Sequence, residues 1–281
     1  MTVKTINQIL LLTDFSEIAD YARQYAQIIA RQTSSAIGIL HIINSPVDWV
    51  NLPLEKEKLY PETKARIGSA KAGLATMVNE FSRQGINAAQ SLVFNVGVED
   101  IPQYITADKY DLIIMGSHGS LGDRGVNLGS NAQKVIRYSK VPVLIVKTPP
   151  RSESFTRIVM ASTFEEDQKP YFKEMFSYAA ALGTEMDLLY VNTPYHFKET
   201  EEIDNMLTAF CEDDAEKNCG KYHVDALNEE RGIKFFMSRS QADIFGIATG
   251  HRSMLTSLFS SSLSEAVVNH LDIPVLVFHL K

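Results

Sequence analysis

Residues 8–44 are QILLLTDFSEIADYARQYAQIIARQTSSAIGILHIIN, and residues 156–192 are TRIVMASTFEEDQKPYFKEMFSYAAALGTEMDLLYVN. The two stretches align without a gap at an offset of 148, and each has the pattern of an apolar strand, an amphipathic helix and a second strand. A second match closes each half: DLIIMGSHGS (111–120) with DIFGIATGHRS (243–253), and VPVLIV (141–146) with IPVLVF (273–278). Chance likeness between α/β segments is the alternative, but the long register favours a duplicated unit.

Each half is predicted to alternate strands and helices. In the first half, short apolar runs predict strands at 9–13, 36–43, 88–94, 112–115 and 143–146, with a loop over 45–60 and a helix from Pro61 to about Gly85. Such alternation builds parallel sheets with helices on both faces. The predicted fold is therefore α/β, with two tandem doubly wound parallel five-stranded sheets. The Pro/Ser-rich stretch TPPRSES (148–154) divides domain 1–150 from domain 151–281.

Composition excludes several classes of protein. The 281 residues carry 27 basic and 34 acidic side chains, a formal charge of −7, which argues against a protein that coats nucleic acid or anionic lipid. No apolar run approaches the roughly 20 residues that span a bilayer. We therefore expect a cytoplasmic protein with neither nucleic-acid nor membrane partners.

The two cysteines, Cys211 and Cys219, are predicted to lie on one helix as half-buried thiols rather than as a redox pair. At about 1.5 Å per residue, eight positions along a helix are too far apart to be bridged by a disulfide. The seven histidines show no HxxxH or HExxH spacing, so no metal site is predicted. No nucleophile motif predicts a catalytic residue either.

The segment MGSHGSLGDRGVNLGSN, residues 115–131, has the properties of a polyanion site. It starts at the end of a predicted strand and finishes at the start of a helix, where backbone N–H groups and the helix dipole favour phosphate. Glycines allow the backbone to approach an anion closely, and Ser130 is predicted to cap the helix or to donate to phosphate. A surface loop with an ordinary cap is the alternative, and no P-loop or Rossmann glycine motif is present.

The spacing of Gly116, Gly119, Gly129 and Ser130 resembles the G-2x-G-9x-G-[ST] signature of the universal stress protein family. LLLTDFSE (10–17), LHIIN (40–44) and LGSNAQKVIRYSKVPVLIVK (128–147) fit the same family. The resemblance covers residues 8–147 fully and the second half more loosely. It implies a tandem universal stress protein with the adenine nucleotide alpha hydrolase-like fold.

The resemblance also implies an ATP site, occupied with or without Mg²⁺ or by another adenine nucleotide. Asp14 would lie by the ribose, and the glycine segment would hold the phosphates. The residues implied are Thr13, Asp14, Ile42, Met115, Gly116, Ser117, His118, Gly119, Gly129, Ser130 and Asn131. Asp14 also starts a D-x-x-E pattern with Glu17, so capping of the first helix is an alternative or shared role.

The second half is predicted to have lost the site. When the two halves are matched motif by motif, Asp14 corresponds to Ser162, Gly116 to Gly250, Gly119 to Ser253 and Gly129 to Leu263. A leucine side chain would fill the space that phosphate needs. The last strands of the two halves are apolar and β-prone, and in the resembled family the last strand pairs across a dimer interface. We therefore expect an intramolecular pseudo-dimer or a homodimer.

These features predict a regulatory stress-response protein that binds ATP in its first half. A slow ATPase or nucleotidyl transferase in the same cleft is the enzymatic alternative. A nucleotide-free scaffold for assembly is the third hypothesis.

Overall fold

The computed structural model describes residues 5–95, 109–117, 129–212, 219–250 and 271–280. In the first half the elements are β1 (Gln8–Leu12), α1 (Glu17–Thr33), β2 (Ala36–Asn44), α2 (Pro61–Arg83), β3 (Ala88–Asn95), β4 (Leu112–Gly116), α3 (Ser130–Tyr138) and β5 (Val143–Val146). In the second half they are β6 (Arg157–Ala161), α4 (Lys169–Ala181), β7 (Glu185–Asn192), α5 (Thr200–Cys211), β8 (Lys221–Asp225), α6 (Glu229–Met237), β9 (Ile244–Gly250) and β10 (Val275–Leu280).

The two five-stranded sheets join edge to edge into one ten-stranded sheet. The strand order is β3-β2-β1-β4-β5-β10-β9-β6-β7-β8, so each half has the predicted doubly wound order. All pairs are parallel except β5 with β10, which run antiparallel with Leu144 opposite Leu276. The pairing expected of an intramolecular pseudo-dimer is therefore confirmed. The domain boundary near residue 150 stays a prediction.

The local sequence explains most of the elements. After the exposed Gln8, β1 is apolar and buried on both faces, and so is β4 over Leu112–Met115, as expected of central parallel strands. Pro61 occupies the first turn of α2, where its missing N–H removes no helical hydrogen bond. The predicted loop over 45–60 contains a short 3₁₀ helix at Leu54–Leu59. The alternation of elements also predicts a helix between β3 and β4, but that stretch lies outside the described residues.

Helices cover both faces of the sheet. One face packs against α1, α2, α4 and α5, and the buried side chains of that layer include Tyr25, Leu74, Phe172 and Phe210. The other face packs against α3 and α6 through Val135 and Ile233. In the parts of the chain that the structure describes, no helix combines the length and apolarity needed to cross a bilayer.

Strand pairing corrects the register of the repeat by one residue. The first pairs of the two equivalent ladders are Gln8 with Ala36 and Arg157 with Glu185, and matching these ladder starts gives an offset of 149 rather than 148. The counterpart of Asp14 is therefore Thr163 and not Ser162. Ile9 pairs with Leu112 and Ile158 with Ile244, so the counterpart of Gly116 is Ala248 and not Gly250.

Turn contacts that occur in both halves support the corrected register. Asp111 Oδ2 accepts hydrogen bonds from the N–H groups of Asn7 and Gln8, and Asp243 Oδ2 accepts the equivalent bonds from Thr156 and Arg157. After the first helix, left-handed backbone occurs at Ser34 (φ 59°) and at Gly183 (φ 70°), which are also 149 residues apart. These pairs show that the two halves share their local backbone geometry.

The prediction for the cysteines is wrong. Helix α5 ends at Cys211, and Cys219 lies beyond it, directly before β8. Their Cα atoms are 5.7 Å apart and the two sulfurs form a disulfide. The distance argument failed because it assumed one continuous helix through both residues.

Candidate functional site

A cavity of about 1040 Å³ lies at the carboxyl ends of β1, β2 and β4, between α2 and the start of α3. This is the edge of an open parallel sheet at which ligands bind. Nine of the residues predicted from the sequence line it: Thr13, Asp14, Ile42, Met115, Gly116, Ser117, Gly129, Ser130 and Asn131. The other two, His118 and Gly119, lie outside the described residues.

The turn after β1 places Asp14 at the cavity. Thr13 Oγ1 accepts a hydrogen bond from the N–H of Phe15 at 3.1 Å, and Asp14 Oδ1 accepts one from the N–H of Ser16 at 3.1 Å. These side-chain contacts hold a tight turn. The cap of α1 is Ser16, whose Oγ accepts from the N–H of Ala19 at 3.2 Å. The hypothesis that Asp14 caps the helix is therefore wrong.

Phe15 and His41 form one wall that the sequence did not predict. His41 Nδ1 lies 2.7 Å from the carbonyl oxygen of Thr13, and because a carbonyl can only accept, Nδ1 carries the proton. The His41 ring lies 4.6 Å from the ring of Phe15. Gly73 of α2 leaves room for Phe15, since a Cβ there would lie 2.7 Å from the ring. The one sign of this wall in the sequence is His41 itself, a single histidine within the apolar run of β2.

The start of α3 forms the opposite end of the cavity. The N–H of Gly129 donates to the carbonyl of Ser117 at 2.8 Å, and the N–H of Ser117 donates to that of Val146 at 2.8 Å. These bonds hold the helix start against the ends of β4 and β5. The N-cap is Gly129 and no side chain caps the helix, so Ser130 does not have the predicted capping role. The N-cap residue therefore offers no side-chain acceptor to the first backbone N–H groups of α3, which lie at this end of the cavity.

Gly116 is required by the close approach of α1. A Cβ at this position would lie 2.9 Å from Ile18 Cγ2 and 3.3 Å from the carbonyl carbon of Ile18. Any side chain would therefore push β4 and α1 apart. This packing requirement is separate from the glycine's expected place beside a ligand.

Helix α2 contributes residues that sequence reasoning missed. Arg66, Ser69 and Ala70 line the cavity from this helix. Arg66 Nη1 donates to the carbonyl of Asn44 at the end of β2, at 3.3 Å. The sequence predicted the helix but not which of its faces meets the sheet edge, because that depends on the path of the chain over 45–60.

In the second half, the turn after β6 is the counterpart of the turn after β1, and its side chains hydrogen-bond and pack with one another. Ser162 Oγ donates to Gln168 Oε1 at 2.7 Å, and Gln168 Nε2 donates to Thr163 Oγ1 at 2.8 Å. Phe164, the counterpart of Phe15, is buried between the rings of Phe172 and Phe210. The predicted loss of the glycine segment there concerns residues 251–270, outside the described residues.

Apolar and polar side chains both line the cavity. Leu12, Leu40 and Met115 line its inner wall, while the carboxylate of Asp14 and the guanidinium of Arg66 lie at its rim. Within the described ranges, no cluster of three or more His, Cys, Asp or Glu side chains is placed to hold a metal ion. The geometry suits a ligand with a flat apolar part and a negatively charged tail.

Comparison with known proteins agrees with this architecture. The family model of the universal stress protein family matches residues 5–147. Universal stress protein Slr1230 of Synechocystis is 26% identical over 97% of this chain and 100% of its own length. Universal stress protein MJ0531 of Methanocaldococcus jannaschii is 30% identical over 50% of this chain and 82% of its own length.

A solved structure supports the fold over the whole length. The crystal structure of a universal stress protein from Archaeoglobus fulgidus superposes with a TM-score of 0.70, covering 98% of this chain and 99% of that chain at 21% identity. The same doubled arrangement therefore exists in that protein. From the match of the family model and the relatives, the chain belongs to the universal stress protein family.

Proposed function

We propose that the first half binds an adenine nucleotide, with ATP as the leading candidate, and that nucleotide occupancy regulates the protein in the stress response. The binding residues are those predicted from the sequence, and residues 151–281 act as a degenerate half that supports the fold. The observation that carries the proposal is the meeting, in one cavity, of an apolar wall, a carboxylate and a helix start whose N-cap residue is a glycine.

The phosphates are assigned to the start of α3. Its first N–H groups and the positive end of its dipole favour an anion, and Gly129 presents no side chain in front of them. The hydroxyl of Ser130, an exposed residue at the first helical position, adds a donor. Mg²⁺ would be coordinated mainly by the phosphates of the nucleotide, because this ion keeps several bound waters and needs few protein ligands.

The nucleoside is assigned to the wall formed by β1, β2 and β4. Leu12, Leu40, Ile42 and Met115 offer apolar surface to a base. Asp14 can accept hydrogen bonds from ribose hydroxyls, which are donors that an ionised carboxylate binds strongly. The distribution of polar groups thus matches the order base, ribose, phosphate along the cavity.

We propose ligand binding rather than rapid turnover. Among the described lining residues Asp14 is the one carboxylate, and His41 already donates Nδ1–H to the backbone of Thr13. Asp14 Oδ1 likewise accepts the N–H of Ser16, so both side chains already hold the turn after β1. A nucleotide that binds only the folded protein raises the free energy of unfolding as its concentration rises, so the stability of the protein reflects the nucleotide concentration.

The substitution Ser130→Asp tests the proposal. An aspartate at the first position of a helix favours the fold but repels phosphate, so the variant should keep its melting temperature and lose the thermal shift given by Mg-ATP. Thr200→Asp is the matched control, because Thr200 is the first residue of α5, away from the cavity. This control should retain the shift.

Acid extraction of freshly purified protein, followed by chromatography, should release an adenine nucleotide. The proposal is contradicted if no nucleotide is released and Mg-ATP, ADP and AMP leave the melting temperature unchanged. Equal shifts in wild type and the Ser130→Asp variant would overturn the assignment of the phosphates to α3.

A further inference from the structure

The disulfide joins two elements at the outer edge of the second half. Cys211 is the last residue of α5, and Cys219 lies two residues before the edge strand β8. Both side chains are partly exposed and pack against the core. These are the two cysteines of the sequence, so neither has another intrachain partner.

The residue after Cys219 holds a buried charge. The N–H of Gly220 donates to Asp187 Oδ1 at 2.9 Å, and the N–H of Leu188 donates to the carbonyl of Gly220 at 2.8 Å. Asp187 is 1% exposed, and its other oxygen lies 2.7 Å from Arg157 Nη1. Position 220 requires glycine, since a Cβ there would lie 2.5 Å from Asp187 Oδ1. The disulfide therefore fixes the backbone that satisfies a buried carboxylate.

We propose that Cys211 and Cys219 are a site of reversible oxidation, at which formation of the disulfide fastens α5 to the edge strand β8 and reduction releases that edge. The reacting partner is a low-molecular-weight thiol and its disulfide. The inference is independent of the nucleotide site, which lies in the other half of the sheet.

The exchange is balanced by two thiol–disulfide steps. One protein thiolate attacks a sulfur of the small disulfide, forming a mixed disulfide and expelling one small thiolate. The second protein thiolate attacks the protein sulfur of the mixed disulfide, forming the Cys211–Cys219 bond and expelling the other small thiolate. The two protons of the protein thiols pass to the two released thiolates, so two electrons move from the protein to the small disulfide.

Accessibility favours reversible over permanent oxidation. Exchange requires a thiolate to reach a sulfur, and both sulfurs belong to partly exposed residues at the border of the sheet. The pair closes a short loop of sequence separation 8, so the folded chain keeps the two thiols close after reduction. Each form can therefore convert to the other without global unfolding.

The test is equilibration of the whole protein in glutathione buffers of increasing oxidised fraction, followed by alkylation of free thiols and mass spectrometry. Both thiols should appear and disappear together, as a single two-electron transition. The oxidised protein should melt about 5 °C or more above the reduced protein. In the reduced protein, amide hydrogen exchange at Gly220 and along β8 should rise at least about tenfold.

The double substitution C211S/C219S is the control. Its melting temperature should be the same in oxidising and in reducing buffer, and should equal that of the reduced wild type. If this variant fails to fold, the oxidised and reduced forms of the wild type are compared with each other. A disulfide that excess reduced glutathione does not open would overturn the proposal. Equal exchange at Gly220 in the two redox forms would overturn it as well.

Discussion

Phe15 and Phe164 follow the first strand of the two halves, both with left-handed backbone (φ 62° and 57°). Phe15 is 41% exposed beside the cavity, whereas Phe164 is 3% exposed and packs on Phe172 and Phe210. The duplicated turn has kept its backbone while its side chains have taken different roles. In the first half the turn leaves a cavity open, and in the second it completes the core.

The largest expected effect separates these two phenylalanines. Phe164→Ala should lower the free energy of unfolding by about 3–5 kcal/mol, because it leaves a cavity among buried aromatic rings. Phe15→Ala should lower it by about 1 kcal/mol, because the ring is already partly in water. Denaturant unfolding of the two variants measures the difference. Similar losses would contradict the contrast between an open and a filled turn.

A second contrast lies at Gly38 and Asp187, which are counterparts in the corrected register. Tyr110 packs over Gly38 in the first half, whereas Asp187 is buried and paired with Arg157 in the second. Asp187→Asn should lower the free energy of unfolding by about 3 kcal/mol, because it leaves the arginine without its buried partner. Glu185→Gln is the control, since Glu185 contacts the same arginine at 2.6 Å but is 39% exposed. It should cost under about 1 kcal/mol, and equal losses would contradict the account.

Nucleotide affinity should respond to the turn of the first half alone. Asp14→Asn retains an oxygen for the N–H of Ser16 but removes the charge, so the Kd for ATP should rise about tenfold. Thr163→Val, at the counterpart position, should leave that Kd unchanged. Isothermal titration of both variants checks the assignment. An unchanged Kd in Asp14→Asn would remove Asp14 from the site.

The glycine at the end of β4 tests the packing difference between halves. Gly116→Ala should lower the free energy of unfolding by about 1–2 kcal/mol, because its Cβ meets Ile18. The reverse change in the other half, Ala248→Gly, should cost only about 0.5–1 kcal/mol through backbone entropy. Thermal unfolding of both variants measures the difference. If Gly116→Ala is more stable than wild type, α1 shifts to accommodate the added Cβ and the packing argument is wrong.

The smallest effect concerns the seam between the halves. Burial lowers the pKa of Lys147 to about 8, with the charge of Asp272 acting in the opposite direction. The unfolded chain therefore binds more protons than the folded chain between about pH 8 and pH 10, and the stability from this group rises with pH across that window. Relative to Lys147→Met, wild type should gain about 1 kcal/mol from pH 8 to pH 10, a value reduced for partial exposure. Parallel stability curves for the two proteins would contradict this.

The sequence predicted the strands well because central parallel strands are short apolar runs that few other structures share. The same property hid the register error. A strand buried on both faces has no alternation of polar and apolar residues, so a slip of one residue still aligns most of QILLL with apolar positions, in TRIVM (156–160) instead of RIVMA (157–161). The matching hydrogen bonds of Asp111 and Asp243, and the left-handed residues Ser34 and Gly183, fixed the counterpart of Asp14.

Contacts between distant elements could not be predicted from the sequence. The backbone ends of β1, β2 and β4 lie at one edge in any parallel sheet of this order, so nine predicted residues meet there. The contribution of α2 depends on how residues 45–60 direct the helix, and the Cys211–Cys219 contact depends on where α5 ends. Neither follows from local pattern.

The most direct test of the central claim is the stoichiometry of ATP binding to the whole chain, measured by isothermal titration calorimetry with Mg-ATP. The account predicts one nucleotide per chain, with binding abolished by Ser130→Asp and retained in Thr200→Asp. Two nucleotides per chain would contradict the loss of the site in the second half. No measurable binding would contradict the assignment of the first-half cavity to a nucleotide.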